Sequence, residues 1–505
     1  MNLLLALDIG TTSVKVGLYQ PDGCCLAIAM QEYELISYSA EQAELDPNTY
    51  WLATVKTIRE VIAQAKVDPV EVRGLAVSSQ GETTIVLDAE GKPLRNALVW
   101  LDNRAVQQAE ELNVELGESV YEKTGIPEVL ATWPACKILW IKQNEPQVFA
   151  RAARFLLVQD FLIQRLCGNY VTDGSISCTT MYYDIVAHQW WTKVLKVLGI
   201  NLAQLPSLLP VGSIAGSLTA ASAEELGLTV QTEIILGGMD QSVGAIGAGN
   251  IGEGVISETT GAALAIQASI KDPLMDKTKQ TPVYVHSVPN EYLFVPVCPT
   301  AGMAFKWFKD NFGAEESVQA EIEKTNAYEL LNRLAEVVPP GSDGLVMLPH
   351  LMGAFSPESN PFARGVFSGF TIHHGRGHFV RAIQEGVAFM LRRNLELIEK
   401  SGVAIKEVRT TGGGSRGKLW NQIKADVCDR PFVTLENEDT ALVGDAILAG
   451  VACGIFTSIA DGVQRMVRLR DRILPGIHVA AYKQAYQRYC ALDKSLAEYF
   501  SKNYS

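Results

Sequence analysis

Two short turns of glycine and threonine, one near the start of the chain and one near its middle, constrain the fold more than any other feature. Asp8-Ile9-Gly10-Thr11-Thr12 follows the apolar run Leu3 to Leu7 and precedes the alternating stretch Val14 to Tyr19. Ser257-Glu258-Thr259-Thr260-Gly261 precedes Ala262 to Ile266 in the same manner. Small residues between two apolar strands read as tight hairpin turns. The remainder of each half alternates strand and helix patterns. The simplest reading is α/β, with two related halves, residues 1–249 and 250–505. A duplicated architecture of this kind is expected to bind its ligand in the cleft between halves. No Pro- or Ser-rich linker separates them, so they are expected to move as hinged bodies.

Residues 47–66 carry Trp51, Val55, Ile58, Val61 and Ile62 at helical spacing. Val72 to Ser78 and Thr84 to Leu87 read as strands, and 103–166 as a long helical stretch broken near Thr124-Gly125-Ile126-Pro127. Ile234 to Gly238 reads as a short buried strand with a helix from Gln241 to Ala248. Val408 to Thr411 reads as a strand before a helix containing Trp420, Ile423 and Val427, and further helices are expected at 444–453 and 477–499.

Composition excludes several classes. The 56 acidic against 43 basic residues leave a charge of −13 without a Lys/Arg-rich cluster, which argues against nucleic-acid binding. The opening apolar run lacks a basic flank and meets Asp8 early, so it reads as a buried strand rather than a signal peptide. No stretch is long and apolar enough for a membrane span. Nine cysteines, an odd number without a CxxC or Cys/His framework, read as reduced thiols in a cytoplasmic protein.

Five segments carry chemistry, and each has a plainer reading beside it. Asp8 to Lys15 is either a phosphate cradle whose first carboxylate holds a metal through water, or an ordinary glycine turn with an exposed acid. The GxxxxGK[ST] spacing of a P-loop and the Rossmann fingerprint are both absent. Thr259-Thr260-Gly261 is either a second phosphate turn or a coincidence of small residues. Gly412-Gly413-Gly414-Ser415 either lets backbone approach a flat ligand or phosphate, or is a flexible strand-to-helix turn. Asp240, in Gly237-Gly238-Met239-Asp240-Gln241, is either a fixed proton acceptor for a substrate hydroxyl or a helix N-cap. Ser79-Gln80-Gly81-Glu82 with Trp100-Leu101-Asp102-Asn103-Arg104 is either a pocket for a polyhydroxylated ligand or two solvated loops.

Taken together and in this order, the motifs resemble those of the FGGY carbohydrate kinases, within the actin/hexokinase/Hsp70 superfamily of ATPases. The resemblance runs over essentially the whole chain. It also includes Thr172-Asp173 with Ser175 to Asp184, Ala363-Arg364-Gly365-Val366-Phe367, Trp420 to Val427 and Gly444-Asp445-Ala446. It implies two ribonuclease-H-like domains with an interdomain cleft, with ATP and Mg2+ as cofactors and a sugar or polyol hydroxyl as acceptor. Members are often dimers, so a homodimer is an allowed assembly. The resemblance implies Asp240 as catalytic base and Asp8 as the metal-associated carboxylate. Gly10, Thr11 and Thr12 look like the first phosphate turn, and Thr259, Thr260 and Gly261 like the second. Gly302 and Lys306 match a nucleotide-contacting helix start, and Gly413 and Gly414 the adenosine loop. Gln80, Glu82, Asp102, Arg104, Asp240 and Gln241 are the expected sugar pocket.

The acceptor is read from the loop at Gln80. Xylulokinases usually carry His before the glycine there, whereas this chain has Gln80. Glycerol kinases carry Gln-Arg-Glu-Thr-Thr, whereas this chain reads Gln80-Gly81-Glu82-Thr83-Thr84 and lacks the arginine. Trp100 to Arg104 and Ala363-Arg364-Gly365 look xylulokinase-like. The expectation is a ketopentose such as xylulose, ahead of a polyol such as glycerol or erythritol. A non-catalytic nucleotide-binding regulator on the same fold is the alternative of another class.

Overall fold

The computed structural model describes residues 2–273 and 276–504. By internal contact the chain divides into two units. The first comprises residues 1–251, 270–293 and 439–468, and the second 252–269, 294–438 and 469–505. The chain therefore crosses between units several times, first just after residue 250.

The first unit is built on β1 (Leu3–Ile9), β2 (Ser13–Tyr19), β3 (Cys25–Glu32), β4 (Val72–Ser79), β5 (Ile214–Ser217) and β6 (Glu233–Met239). Their order across the sheet is β5-β6-β4-β1-β2-β3. The β1–β2, β2–β3 and β5–β6 pairs are antiparallel, while β1–β4 and β4–β6 are parallel. Alternation along β1 decides where the site lies. Leu3, Leu5 and Leu7 enter the core beside α1 (Pro47–Ala65), with its Tyr50, Trp51 and Ile58. Leu4 and Ala6 enter a second core on the opposite face. Side chains in a strand alternate with period two, so Asp8 belongs to that second face. Helix α1 starts on an Asp46 cap that accepts from the Asn48 N–H, with Pro47 in its first turn.

Two helices cover the Asp8 face. These are α3 (Asp240–Gly247) and α7 (Thr440–Ala452), the latter drawn from the far end of the chain; α2 (Pro134–Asn144) lies elsewhere in this unit. Val243, Ile246, Leu442, Val443, Ala446 and Ile447 fill the space between α3, α7 and the sheet. The region expected to be helical over 103–166 holds a strand, Arg154–Leu156, that pairs antiparallel with Ile85–Leu87. Phe155 and Leu156 of that strand are buried, and aromatic and branched side chains pack well on a pleated surface.

The second unit repeats the pattern with β7 (Gly254–Thr260), β8 (Leu264–Ile270), β9 (Val297–Cys298), β10 (Ile405–Thr411), β11 (Phe432–Leu435) and β12 (Leu469–Ile473). The run β8-β7-β10-β11-β12 is antiparallel, parallel, parallel, antiparallel, and β9 pairs with β8. The run β2-β1-β4-β6-β5 of the first unit has the same sequence of senses. Helices α4 (Gly302–Phe312), α5 (Arg376–Lys400) and α6 (Lys418–Cys428) complete the elements that matter here. Among the described residues no helix is long and apolar enough to cross a membrane, and all nine cysteines are free thiols.

Candidate functional site

In the first unit, strand register brings the acids together. Asp8 pairs with Ser78 across β1–β4, and Ser78 with Gly238 across β4–β6. The register shifts between Leu236 and Gly238, and Gly238 has φ +104°, so β6 bends as it hands over to α3. A methyl on Gly238 would stand 2.0 Å from the Ser175 hydroxyl, so this bend needs glycine. Ser175 in turn bonds Asp173, Asp173 accepts from Gln159, and Gln159 accepts the Gly238 N–H at 2.6 Å. Asp240 is the first residue of α3, with Met239 in the capping position, and its carboxylate accepts from the Gln241 N–H at 2.6 Å.

A third acid joins this pair. Asp445 is fully buried on α7 and accepts from the Ser78 hydroxyl at 2.6 Å. The sequence marks it within Gly444-Asp445-Ala446, as the lone charge in the otherwise apolar helix TALVGDAILAGVA, without assigning it a role. One oxygen of Asp8 and one of Asp445 are buried without a hydrogen-bond partner among the described residues. Burial, then the neighbouring acids Asp8 and Glu82, raise the Asp240 carboxyl to about 8, against a stabilising Gln241 N–H. Burial also lifts Asp8 to about 6 against the attraction of Lys15. Asp445 is held well above the ordinary carboxylate range by burial, with Asp8 and Asp240 adding to it. Lys15, opposite Asp8 in the β1–β2 register, is itself bonded to Asp439 at 2.5 Å.

Orphaned carboxylate oxygens among mutually repelling acids suit a hard divalent cation. No group of three His, Cys, Asp or Glu side chains among the described residues could hold one directly. The fit is therefore one carboxylate and its neighbour acting largely through water.

The first turn is braced from two sides. The Gly10 N–H donates to Ser13 O at 2.9 Å, and the Tyr33 hydroxyl to Gly10 O at 2.5 Å. The Trp100 indole donates to the Thr11 hydroxyl at 2.8 Å, while Thr12 is exposed. Trp100 thus links this turn to the loop expected to bind sugar.

That loop is more structural than its polar residues suggest. Both Asp102 oxygens are engaged, by Arg104 at 2.7–3.0 Å and by the Ala43 N–H at 2.8 Å. Arg104 also meets Glu44 at 2.8 Å and stacks over Trp140. Gln80 is buried, its amide donating to the Tyr50 hydroxyl at 3.1 Å while its own oxygen has no partner among the described residues. Glu82 adopts φ +54°, a left-handed conformation rare outside glycine. Lys137 on α2, missed in the sequence, is fully buried and donates to the carbonyls of Glu82 at 3.1 Å and Val99 at 2.8 Å. Burial lowers its ammonium, and burial likewise raises the Glu82 carboxyl, each opposed by the other's charge.

The second unit contains a cavity of about 490 Å3. Six residues singled out in the sequence line it together: Thr260, Gly261, Gly302, Lys306, Gly413 and Gly414. Thr259 is not among them; its hydroxyl shares a hydrogen bond with that of Thr411 at 2.8 Å. The cavity also takes Trp420, from the stretch Trp420 to Val427, Phe305 of α4, and Tyr328 and Asn332, which no motif marks. The start of α4 is tied to the turn, with the Gly302 N–H donating to Gly261 O at 2.9 Å. A single 3-10 turn, Gly413–Arg416, separates β10 from α6. Lys306 is exposed and pairs with Asp310.

The glycines differ in what they tolerate. A methyl on Gly414 would lie 2.5 Å from Cγ2 of Thr260, whereas one on Gly413 meets nothing within 4 Å. Gly414→Ala is expected to weaken Mg·ADP binding roughly 10- to 100-fold by overpacking this wall, and Gly413→Ala far less. Isothermal titration of both variants checks this; equal affinities would mean the loop does not press on Thr260.

The repeated sheet with a glycine–threonine hairpin in each unit is the two-domain actin/hexokinase-like fold of the solved structures it matches. One, a xylulose kinase from Rhodospirillum rubrum, superimposes with a TM-score of 0.90 at 28% identity, covering 99% of this chain and 100% of that one. The family models for the N-terminal and C-terminal domains of the FGGY family of carbohydrate kinases match residues 3–247 and 258–453. The chain belongs to the FGGY family of carbohydrate kinases and is an ATP-dependent sugar kinase. Among curated relatives, a xylulose kinase of Bacillus subtilis (strain 168) is 29% identical over 97% of this chain and 96% of its own length. A gluconokinase of the same organism is 28% identical over 94% and 91%.

Proposed function

We propose that the protein transfers the γ-phosphoryl group of ATP to a hydroxyl of a neutral sugar, a ketopentose such as xylulose. The nucleotide binds in the second unit, on the wall formed by Thr260, Gly261, Gly302, Lys306, Gly413 and Gly414. The convergence of these six sequence-selected residues on one cavity carries the nucleotide reading. Thr259 supports that wall through Thr411.

The acceptor belongs to the first unit, between Gln80, Glu82, Gln241 and Asp240. Asp240 accepts the proton of the attacking hydroxyl and orients its oxygen. Asp102 and Arg104 act by bracing the loop that presents Trp100. Gly10, Thr11 and Thr12 form the first phosphate turn. Asp8, with Asp445 beside it, is the carboxylate that would hold Mg2+, and the ion supplies charge neutralisation for the phosphates when bound. Catalysis then rests on positioning and electrostatics, since phosphoryl transfer asks little covalent help of the protein.

Charge supports a neutral acceptor over an acidic one such as gluconate. Glu82 and Asp240 are both acids, and two neighbouring cations are committed, Lys137 of α2 to carbonyls and Arg104 to Asp102 and Glu44. Gly81 supports a ketose over glycerol. A methyl there would meet the Thr179 side chain at 2.9 Å, so the arginine that glycerol kinases carry has no counterpart.

A coupled ADP-release assay with xylulose, ribulose, glycerol, erythritol and gluconate tests the proposal. ADP release is expected to rise most with a ketopentose and least with gluconate. Stimulation by glycerol or erythritol alone would make this a polyol kinase. No stimulation by any of them would favour a nucleotide-binding regulator.

A further inference from the structure

Beneath the nucleotide cavity lies an ion pair that phosphoryl transfer does not itself require. Lys424 on α6 and Glu258 on β7 are both fully buried, with Nζ 2.7 Å from Oε1. Lys424 also donates to the hydroxyls of Thr260 at 2.8 Å and Thr410 at 3.3 Å. Glu258 accepts from the Thr260 hydroxyl at 2.7 Å and from Thr410. The Thr260 hydroxyl therefore faces the ion pair, and its methyl faces Gly414 on the cavity wall. Trp420, one helical turn before Lys424, lines the same cavity, with its ring 5.5 Å from the ammonium.

We propose that Lys424, acting with Glu258, is a positioning residue for the nucleotide: it locks the Thr260 rotamer, and so the wall that Thr260, Gly261 and Gly414 present to the phosphates. This rests on the nucleotide reading of the cavity. A β-branched threonine has three staggered states, and only one keeps its methyl against Gly414 while its hydroxyl stays bonded inward. Desolvating two charges at zero exposure offsets most of their attraction, so fold stability alone gives little reason for the pair. Its bonds are complete and converge on a residue lining the cavity, which makes conformational specificity its use. It follows that Thr260 does not offer its hydroxyl to the phosphates; the turn meets them through backbone and shape.

The test is isothermal titration of the full chain with Mg·ADP, alongside thermal melts. The double variant Glu258→Gln/Lys424→Met removes both charges and is expected to melt near the wild type while binding Mg·ADP roughly tenfold more weakly. Thr260→Val is expected to weaken binding by a similar factor, and the triple variant by no more than either alone. Multiplying effects would mean that the Thr260 hydroxyl acts on the nucleotide directly, and would overturn the assignment. So would wild-type affinity in a folded pair variant. If the pair variant does not fold, Thr410→Val replaces it, since Thr410 bonds Glu258 but does not line the cavity. Weakening that does not compound with Thr260→Val supports the lock, and unchanged affinity refutes it. A wild type that binds no Mg·ADP would sink the nucleotide reading itself. A wild type that binds, with variants binding alike, would sink only the role of Lys424.

Discussion

Replacing Asp240 by asparagine is expected to lower kcat by roughly 10² to 10⁴-fold, the usual contribution of a general base, while Mg·ADP still binds. The residues lining the cavity proposed for the nucleotide all belong to the other unit, which is why binding is retained. Two further signatures follow from the same carboxylate. Its proton is held to about 8, by burial first and Asp8 second, so wild-type kcat/KM is expected to rise with pH up to that range. A bound divalent cation moves this limb downward, because it offsets the charge of Asp8. Asparagine removes the limb along with the rate. Stability runs the opposite way. A carboxyl whose folded pKa lies above its unfolded one favours the fold at low pH, and that contribution is lost as pH rises through the folded value. Wild-type Tm is therefore expected to fall between about pH 4 and 8 relative to Asp240→Asn. The variant becomes the more stable protein at neutral pH. Steady-state rates, a pH profile and a melt on one preparation test all three. A variant with near-wild-type kcat would remove Asp240 from the chemistry, whatever its Tm.

The local structure around much of this candidate site was legible because its determinants are local. The turn at Gly10 follows from residues within one hairpin, and Asp240 from its place between a buried strand and a helix. The same holds for Gly413 and Gly414, where glycine spacing after a strand is itself the signal. What the sequence hid is long-range. Asp445 reaches Ser78 across 367 positions, and Lys424 reaches Glu258 across 166. No period or spacing encodes such a partner. Lys137 looks like one more helix lysine until α2 buries it against two carbonyls. Side-chain direction was hidden too. Thr259 and Thr260 stand where phosphate ligands were expected, yet their hydroxyls bond Thr411, Glu258 and Lys424. Asp102 and Arg104 have the chemistry of sugar ligands, but each satisfies the other. A polar residue's type is local information, whereas whether its atoms remain available is settled by tertiary packing.

The hidden acid depends on a contact between helices that has no room for a methyl group. A Cβ on Gly247 of α3 would stand 1.8 Å from the carbonyl oxygen of Thr440, and one on Gly444 of α7 2.1 Å from that of Val243. Backbone atoms cannot rotate aside as a flexible side chain can, so the helices must part. Gly247→Ala is expected to destabilise the protein by about 1–3 kcal/mol or more, at the upper end for overpacking. Gly244 lies on the same helix, and a methyl there would have its nearest neighbour, the Thr440 hydroxyl, at 3.4 Å. Gly244→Ala is therefore expected to be neutral or to stabilise by up to about 1 kcal/mol through helix propensity. The contrast separates helix propensity from close approach within one helix. Parting α3 from α7 also draws Asp445 off Ser78 and tilts the helix that begins at Asp240, so Gly247→Ala is expected to lose turnover beyond its loss of folded protein. Denaturant melts paired with rates per folded molecule measure both effects. If Gly247→Ala melts like Gly244→Ala, the helices do not approach this closely, and the clustering of Asp8, Asp240 and Asp445 loses its structural basis.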